Sequence, residues 1–209
     1  MRTRPTILLH DNGRPLRFVV RHMPALPMEA WLERAAELLP ESTGTAKRHP
    51  AALAAELLRR GTFALACAGE RGGDLLDEML AYSSFIDPES GEETPCSREA
   101  MGRLLTGLPT LLALRRWVLR EQLFFAAGGV RKPLLLPKES AFRRASGESV
   151  AARTVNVPQV AAILISQGVT SLNELRSGYT FADALDLLEI VNVRNYNHWA
   201  AETAKHRRH

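Results

Sequence analysis

The fold is decided where a strand-like pattern gives way to a helical one, in the stretch RFVVRHMPALPMEAWLERAAELL, residues 17–39. From Pro27 onward, apolar residues recur at intervals of three and four, the spacing of one face of an α-helix. The recurring residues are Met28, Trp31, Leu32, Ala35, Leu38 and Leu39. Pro27 suits the first turn of such a helix and Pro40 ends it. The stretch therefore predicts a short strand followed by an amphipathic helix.

Upstream of this helix, residues 6–23 contain two strand-like runs on either side of Asn12 and Gly13. An Asn-Gly pair supplies the two positive-φ residues of a tight turn, so these runs predict a β-hairpin. Pro15 cannot donate to a ladder of hydrogen bonds. We therefore expect it at an edge of the pairing.

Two further helices are predicted between residues 50 and 82. The first covers residues 50–61 and closes with two arginines and a glycine, where cations meet the negative end of the helix dipole. The second covers residues 75–82. We expect Asp74 to cap it, with Asp77 and Glu78 in its first turn.

The longest helical stretch is residues 97–127, which follow a turn-rich acidic loop at residues 87–95. Gly107 and Pro109 should kink or split it. Beyond them, apolar residues cover nearly the whole circumference, so we expect burial in a core or an oligomer interface. The three tryptophans, Trp31, Trp117 and Trp199, lie on apolar stripes, which favours core packing over a binding platform.

The C-terminal third divides into a linker and a module. Residues 130–157 have no sustained period and mix proline, serine and basic residues, so we interpret them as a linker. They separate an N-terminal domain, residues 1–129, from a small helical module, residues 158–209. In that module, residues 171–174 and 180–183 have capping-box spacing, or nearly so, and a last helix is expected at residues 194–205.

Composition agrees with a mainly α fold: an N-terminal β-hairpin, a helical domain, a linker and a helical module. Of the residues, 45% are hydrophobic and only 6% aromatic, and alanine and leucine recur throughout. Such a composition favours helix packing over a β-sandwich.

Net charge raises the alternative of nucleic-acid binding. The formal charge is +4, and residues 128–158, with six basic and two acidic residues, carry an excess of the same size. A second basic cluster ends the chain. Charged linkers and tails are more often solvated segments than phosphate-binding surfaces, which favours a solvated linker here.

No motif gives a positive reason to propose an enzyme, a cofactor or a metal. Cys67 and Cys96 lack the spacing of a zinc site, and the sequence contains no Walker, GxGxxG, GxSxG or HExxH motif. Asp183, Asp186 and Glu189 follow the spacing of a solvated helix face. No apolar run is long enough for a membrane span, so we expect an intracellular protein.

Two stretches resemble the tail assembly chaperones of long-tailed phages. Residues 17–39 resemble the opening of that family, where a strand ending in Arg-x-Met-Pro-Ala leads into a helix containing tryptophan, and LLDEMLAYSSFIDPESG, residues 75–91, is similar to its body. The C-terminal ISQGVTSLNELRSGYTFADALDLLEIVNVRNYNHWAAE resembles the short second chaperone that a ribosomal frameshift often fuses to the first. This chain would be such a fusion, or one continuous gene with the same layout.

The resemblance implies a non-enzymatic protein of the host cytoplasm. It would coat the tape measure protein and recruit tail tube subunits during tail assembly. Apolar helix surface beyond what two modest domains need would be covered by partner helices or by self-association. Candidate contact residues are Trp31, Leu32 and Leu39 on the first helix and Leu185, Leu188 and Tyr196 in the module, unless each belongs to the core. The alternatives are a structural minor tail protein and a small basic nucleic-acid-binding protein.

Overall fold

The structure, a computed structural model, describes residues 5–39, 50–88, 90–127, 134–137, 141–142 and 156–206. The chain forms two compact units: Met1–Met23 with Ala30–Arg131, and Pro24–Glu29 with Lys132–His209. The described residues are mainly α-helical and begin with an antiparallel sheet, as the sequence predicts. Most of the predicted linker, residues 130–157, and the last three residues of the basic tail lie outside the described residues.

The predicted hairpin opens the first unit. Strands β1 (Thr6–Asp11) and β2 (Arg14–Val20) pair antiparallel around Asn12 and Gly13, whose φ angles are 51° and 84°. Pro15 pairs with His10 of β1. The next strand pairs with β2 only from Arg17 onward. Pro15 therefore has no strand on its other side, and its missing N–H costs no hydrogen bond there.

Two further strands extend the sheet where the sequence predicted no strand: one lies within the predicted turn-rich loop, residues 87–95, and the other lies just before it. Strands β3 (Ser83–Ile86) and β4 (Glu93–Pro95) give the order β1-β2-β3-β4. Phe85 of β3 packs beside Phe18 of β2, with ring centroids 5.8 Å apart. Burial of both rings stabilises a strand that is too short to show an alternating pattern of its own.

Helix α1 (Ala25–Leu38) starts with residues of the second unit and belongs to the first unit from Ala30 onward. The other helices of the first unit are α2 (Pro50–Arg60), α3 (Thr62–Ala66), α4 (Gly69–Leu80), α5 (Arg98–Leu104) and α6 (Leu108–Gln122), followed by a 3-10 turn at Phe124–Ala126. The break between α5 and α6 falls at Gly107 and Pro109, as predicted. The expected start at Asp74 was wrong, because α4 begins at Gly69 and Asp74 lies inside it.

Buried polar side chains connect the sheet to the helices of this unit. Asp11 accepts hydrogen bonds from the Thr106 backbone N–H and from the hydroxyls of Thr106 and Thr110, each at 2.7 Å. Gln122 accepts from the Met23 N–H at 2.8 Å and donates to the Arg21 carbonyl at 2.7 Å. These bonds fix the two ends of α6 against the hairpin.

The second unit contains α7 (Gln159–Ser166), α8 (Leu172–Ser177) and α9 (Phe181–His206). Ser171 and Glu174 form the predicted capping box at the start of α8. Thr180 and Asp183 exchange equivalent bonds at the start of α9. The separate last helix was a wrong prediction: α9 runs unbroken for 26 residues, since no glycine or proline interrupts it.

A short N-terminal segment belongs to this second unit. The backbone of Ala25 donates to the Tyr179 carbonyl at 2.7 Å. The Glu29 carboxylate is buried and accepts from the backbone N–H groups of Val160 at 2.7 Å and Ala161 at 3.1 Å. A side chain distant in sequence thus caps the first turn of α7, where unsatisfied N–H groups favour an anion.

Candidate protein-binding surfaces

The ionisable groups of the first unit that converge are held by partners. Asp77 accepts from Arg98 at 2.6 Å and also pairs with Arg115, and Arg98 reaches Asp74 at 2.9 Å. Glu78 receives both arms of the Arg34 guanidinium, at 2.7 and 2.8 Å. These acids, which we expected at a helix start, tie α4 to its neighbours. Among the described residues, no three His, Cys, Asp or Glu side chains are placed to hold a metal ion.

The two cysteines are free thiols in different surroundings. Cys67 is exposed, whereas Cys96 is buried, and its burial raises the pKa of that thiol to about 12. Only the exposed thiol is available to reagents in solution. No helix within the described ranges has the length and apolar character needed to cross a membrane.

Most of the contact residues suggested by the sequence belong to the core. Trp31, Leu32 and Leu39 of the first unit and Leu185 of the second are at most 5% exposed. The Trp31 indole N–H donates to the Leu75 carbonyl at 2.9 Å. These four side chains therefore pack inside the chain, and they offer no surface to a partner in this conformation.

The other two suggested residues, Leu188 and Tyr196, are half-buried on α9. Tyr196 forms an aromatic cluster with Trp199 and Phe142, whose centroids lie 5.5 to 5.7 Å apart. The cluster belongs to the second unit. It leaves only part of each ring available for a further contact.

Exposed apolar side chains occur instead on α6, which the sequence predicted to be buried in a core or in an oligomer interface. Leu108 is 67% exposed, Leu112 44% and Trp117 42%. The core prediction for Trp117 was wrong, because the buried face of α6 consists of Leu114, Val118 and their neighbours, and Trp117 points away from it. The Arg120 guanidinium lies over the Trp117 ring, 5.5 Å from its centroid.

An open cleft of about 660 Å³ lies where the α2–α3 turn meets α6. We call it the arginine cleft. Its lining combines four arginines with apolar side chains: Leu58, Arg59, Arg60, Gly61, Thr62, Phe63, Arg116, Leu119, Arg120 and Ala127. Phe63 is 76% exposed, the most exposed aromatic side chain among the residues described. The positive φ of Gly61, 69°, turns the chain from α2 into α3.

The described residues neutralise only part of the positive charge of the arginine cleft. Glu56 pairs with Arg59 at 2.7 Å and with Arg60, and hydrogen bonds from these two guanidinium groups lower the pKa of its carboxyl to about 2. No carboxylate of the described residues forms an ion pair with Arg116 or Arg120. The cleft therefore keeps an excess of cationic groups beside exposed apolar surface.

The sequence contained a signal for this surface that helical periodicity did not reveal. Arg116 and Arg120 stand four residues apart, on one face of a helix, and Arg59 and Arg60 close the helix that leads to Phe63. The two pairs come together because α2 packs against the 3-10 turn that follows α6, and α3 packs against α6. Comparison with protein-family models, curated proteins and solved structures gives no match to this chain.

Proposed function

We propose that this protein is a non-enzymatic tail assembly chaperone, which binds the tape measure protein and recruits tail tube subunits during phage tail assembly. The proposal is supported by the resemblance of residues 17–39 and 75–91 to that family. The observation that carries it is the arginine cleft, where Arg116 and Arg120, which form no ion pair with a described residue, lie near the exposed rings of Phe63 and Trp117.

Such a surface suits an amphipathic helix that carries carboxylates beside its apolar stripe. Phe63 and Trp117 supply apolar contact area, and aromatic and arginine side chains contribute most to binding energy at protein interfaces. Guanidinium groups bind carboxylates through paired hydrogen bonds, which fix orientation. A tape measure protein before assembly is a long helical chain with exposed apolar seams, and covering those seams prevents aggregation.

Co-expression with helical fragments of the tape measure protein from the same phage tests the proposal. We expect an affinity-tagged fragment to retain the wild-type chain. The variant Arg116→Glu/Arg120→Glu should lose at least tenfold in retention, because it replaces attraction with repulsion. Arg71→Glu/Arg103→Glu is the matched control, since these two arginines are also exposed residues of the first unit but lie outside the cleft.

A third variant separates apolar contact from charge. Phe63→Ser should also weaken retention, and it should leave the circular dichroism spectrum and the midpoint of unfolding unchanged, because the ring is 76% exposed. Failure of the wild-type chain to retain either a tape measure fragment or tube protein would overturn the proposed function. Equal retention by the cleft variant and the control variant would overturn the role of the cleft.

Nucleic-acid binding is the second candidate, and the contact between Arg120 and Trp117 favours it, since stacking platforms in single-strand-binding proteins combine arginines with aromatic rings. Its experiment is titration with single-stranded DNA and RNA at increasing salt concentrations. Binding that falls steeply with salt and is lost in Arg116→Glu/Arg120→Glu would favour this candidate over the chaperone. The six basic residues of residues 128–158, among them Arg143 and Arg144, lie outside the described residues.

A further inference from the structure

Glu56 is the acidic side chain that pairs with two arginines of the arginine cleft. It lies on α2, and its carboxylate accepts two hydrogen bonds from the Arg59 guanidinium, at 2.7 and 2.9 Å, and one from Arg60. The side chain of Glu56 is only 19% exposed, and Glu56 does not line the cleft itself. It therefore holds these two arginines from outside the cleft, where a partner has little access to the carboxylate.

The other two arginines of the cleft, Arg116 and Arg120, are in a different state. They lie one helical turn apart on α6, about 6 Å along its axis at 1.5 Å per residue. Neither forms an ion pair with a carboxylate of the described residues. The contact of Arg120 with the Trp117 ring restrains the guanidinium but gives its N–H groups no acceptor oxygen. These two groups therefore keep donors for the carboxylates of a partner.

The two pairs of arginines are not equally available to an acidic partner. A carboxylate that binds Arg59 or Arg60 must first displace Glu56, which is on the same helix and already bonded to both. A carboxylate that binds Arg116 or Arg120 displaces no carboxylate of the described residues. Acidic side chains four residues apart on a partner helix repeat at the same distance as this second pair, about 6 Å.

We infer that Glu56 sets the specificity of the arginine cleft: the cleft binds a partner helix through two carboxylates four residues apart, which Arg116 and Arg120 receive, and Glu56 withholds the other arginine pair. Glu56 is thus a positioning residue, which acts through Arg59 and Arg60 and does not touch the partner. The inference rests on the proposed function, since it names the chemistry of the partner at the same cleft.

Fluorescence anisotropy with synthetic helical peptides and the full chain tests the spacing. The peptides, about 18 residues long so that they form helices, share one stripe of leucines and carry two glutamates either four or two residues apart. Residues four apart lie on one face of a helix, whereas residues two apart do not. We expect at least tenfold tighter binding at a spacing of four, and Arg116→Glu/Arg120→Glu should abolish the difference. Equal dissociation constants for the two peptides with the wild type would overturn the inference.

Glu56→Gln tests the role of Glu56 itself. It keeps the size of the side chain and removes the charge that holds Arg59 and Arg60. A peptide with four glutamates, as two pairs spaced by four, should bind this variant at least tenfold tighter than the wild type, and the two-glutamate peptide should gain less. Glu99→Gln is the matched control, because Glu99 pairs with Arg103 on α5, outside the cleft. If both variants bind the four-glutamate peptide equally, Glu56 has no such role.

Both variants should keep the circular dichroism spectrum and the midpoint of unfolding of the wild type. Ion pairs between neighbouring side chains of one helix contribute little to stability, so a change in peptide binding reports on the cleft and not on the fold. Tighter binding of single-stranded DNA by Glu56→Gln, without tighter binding of any acidic peptide, would identify a phosphate-binding cleft and contradict the inference.

Two results distinguish a failure of this inference from a failure of the proposed function. Retention of a tape measure fragment in co-expression, without any preference among the peptides, overturns the inference and leaves the proposed function in place. The expected peptide preference, without retention of a tape measure fragment or of tube protein, supports the specificity of the cleft and overturns the proposed function.

Discussion

The Gln122 side chain offers a sharp test of how the first unit is held together. It is 2% exposed, its oxygen accepts from the Met23 N–H at 2.8 Å, and its nitrogen donates to the Arg21 carbonyl at 2.7 Å. Gln122→Leu keeps the approximate volume and removes both bonds. Each buried group left without a partner costs about 1–3 kcal/mol, partly offset by the gain in apolar burial. We expect a loss of about 2–4 kcal/mol in the free energy of unfolding.

Gln122→Glu turns the same site into a pH sensor. One carboxyl oxygen can still accept from Met23, but the other faces the Arg21 carbonyl and must be protonated to donate to it. Burial and the facing carbonyl raise the pKa of the introduced carboxyl in the folded state. The stability of this variant is therefore fully present below the ordinary pKa of glutamate and is lost as the pH rises through the folded value.

Urea unfolding measured from pH 4 to pH 8 provides the comparison, with hydrogen exchange at the Met23 amide as the local reading. Gln159→Leu is the control, because this glutamine is exposed at the start of α7. At about 2 kcal/mol per molar urea, the expected loss for Gln122→Leu lowers the midpoint by about 1–2 M. A change of less than about 0.5 kcal/mol, or a Gln122→Glu variant without pH dependence, would refute the assigned role.

Three further predictions follow from single contacts. Gly72→Ala should destabilise the chain by about 1–3 kcal/mol or more in urea unfolding, because its Cβ would lie 1.8 Å from the Leu65 carbonyl oxygen, whereas Gly73→Ala, with open space, should not destabilise it. Hydrogen bonds to Asp11 lower the pKa of its carboxyl, so the contribution of the ionised carboxylate to the free energy of unfolding is present above the ordinary aspartate pKa and is lost as the pH falls. The difference in stability between the wild type and Asp11→Asn should therefore disappear in acid titration. Glu29→Gln should speed amide exchange in the first turn of α7, since one amide oxygen replaces two carboxylate oxygens as acceptor.

The structural features that depend on only a few neighbouring residues were predicted from the sequence and were confirmed. The Asn12-Gly13 turn, the capping box of Ser171 and Glu174, and the break at Gly107 each depend on backbone conformation or on hydrogen bonds between near neighbours. Each of these interactions joins residues that lie only a few positions apart in the sequence. The periodicity of the flanking residues then fixed the mainly α architecture.

The candidate surfaces depended on information that no local pattern contains. Trp31 and Trp117 both lie on apolar helical stripes, but the first is buried and the second exposed. Periodicity reports that a helix has an apolar face, and it does not report how many neighbours are available to cover that face.

The amino-acid sequence by itself determined the hairpin, most helix boundaries and the capping of α8 and α9, because local sterics and hydrogen bonds decide them. Tertiary structure decided the addition of β3 to the sheet, the capping of α7 by Glu29 and the meeting of two arginine pairs in one cleft. Each of these joins groups far apart along the chain. The free energy of these contacts is gained only when the whole core has formed, so no short stretch of the sequence predicts them.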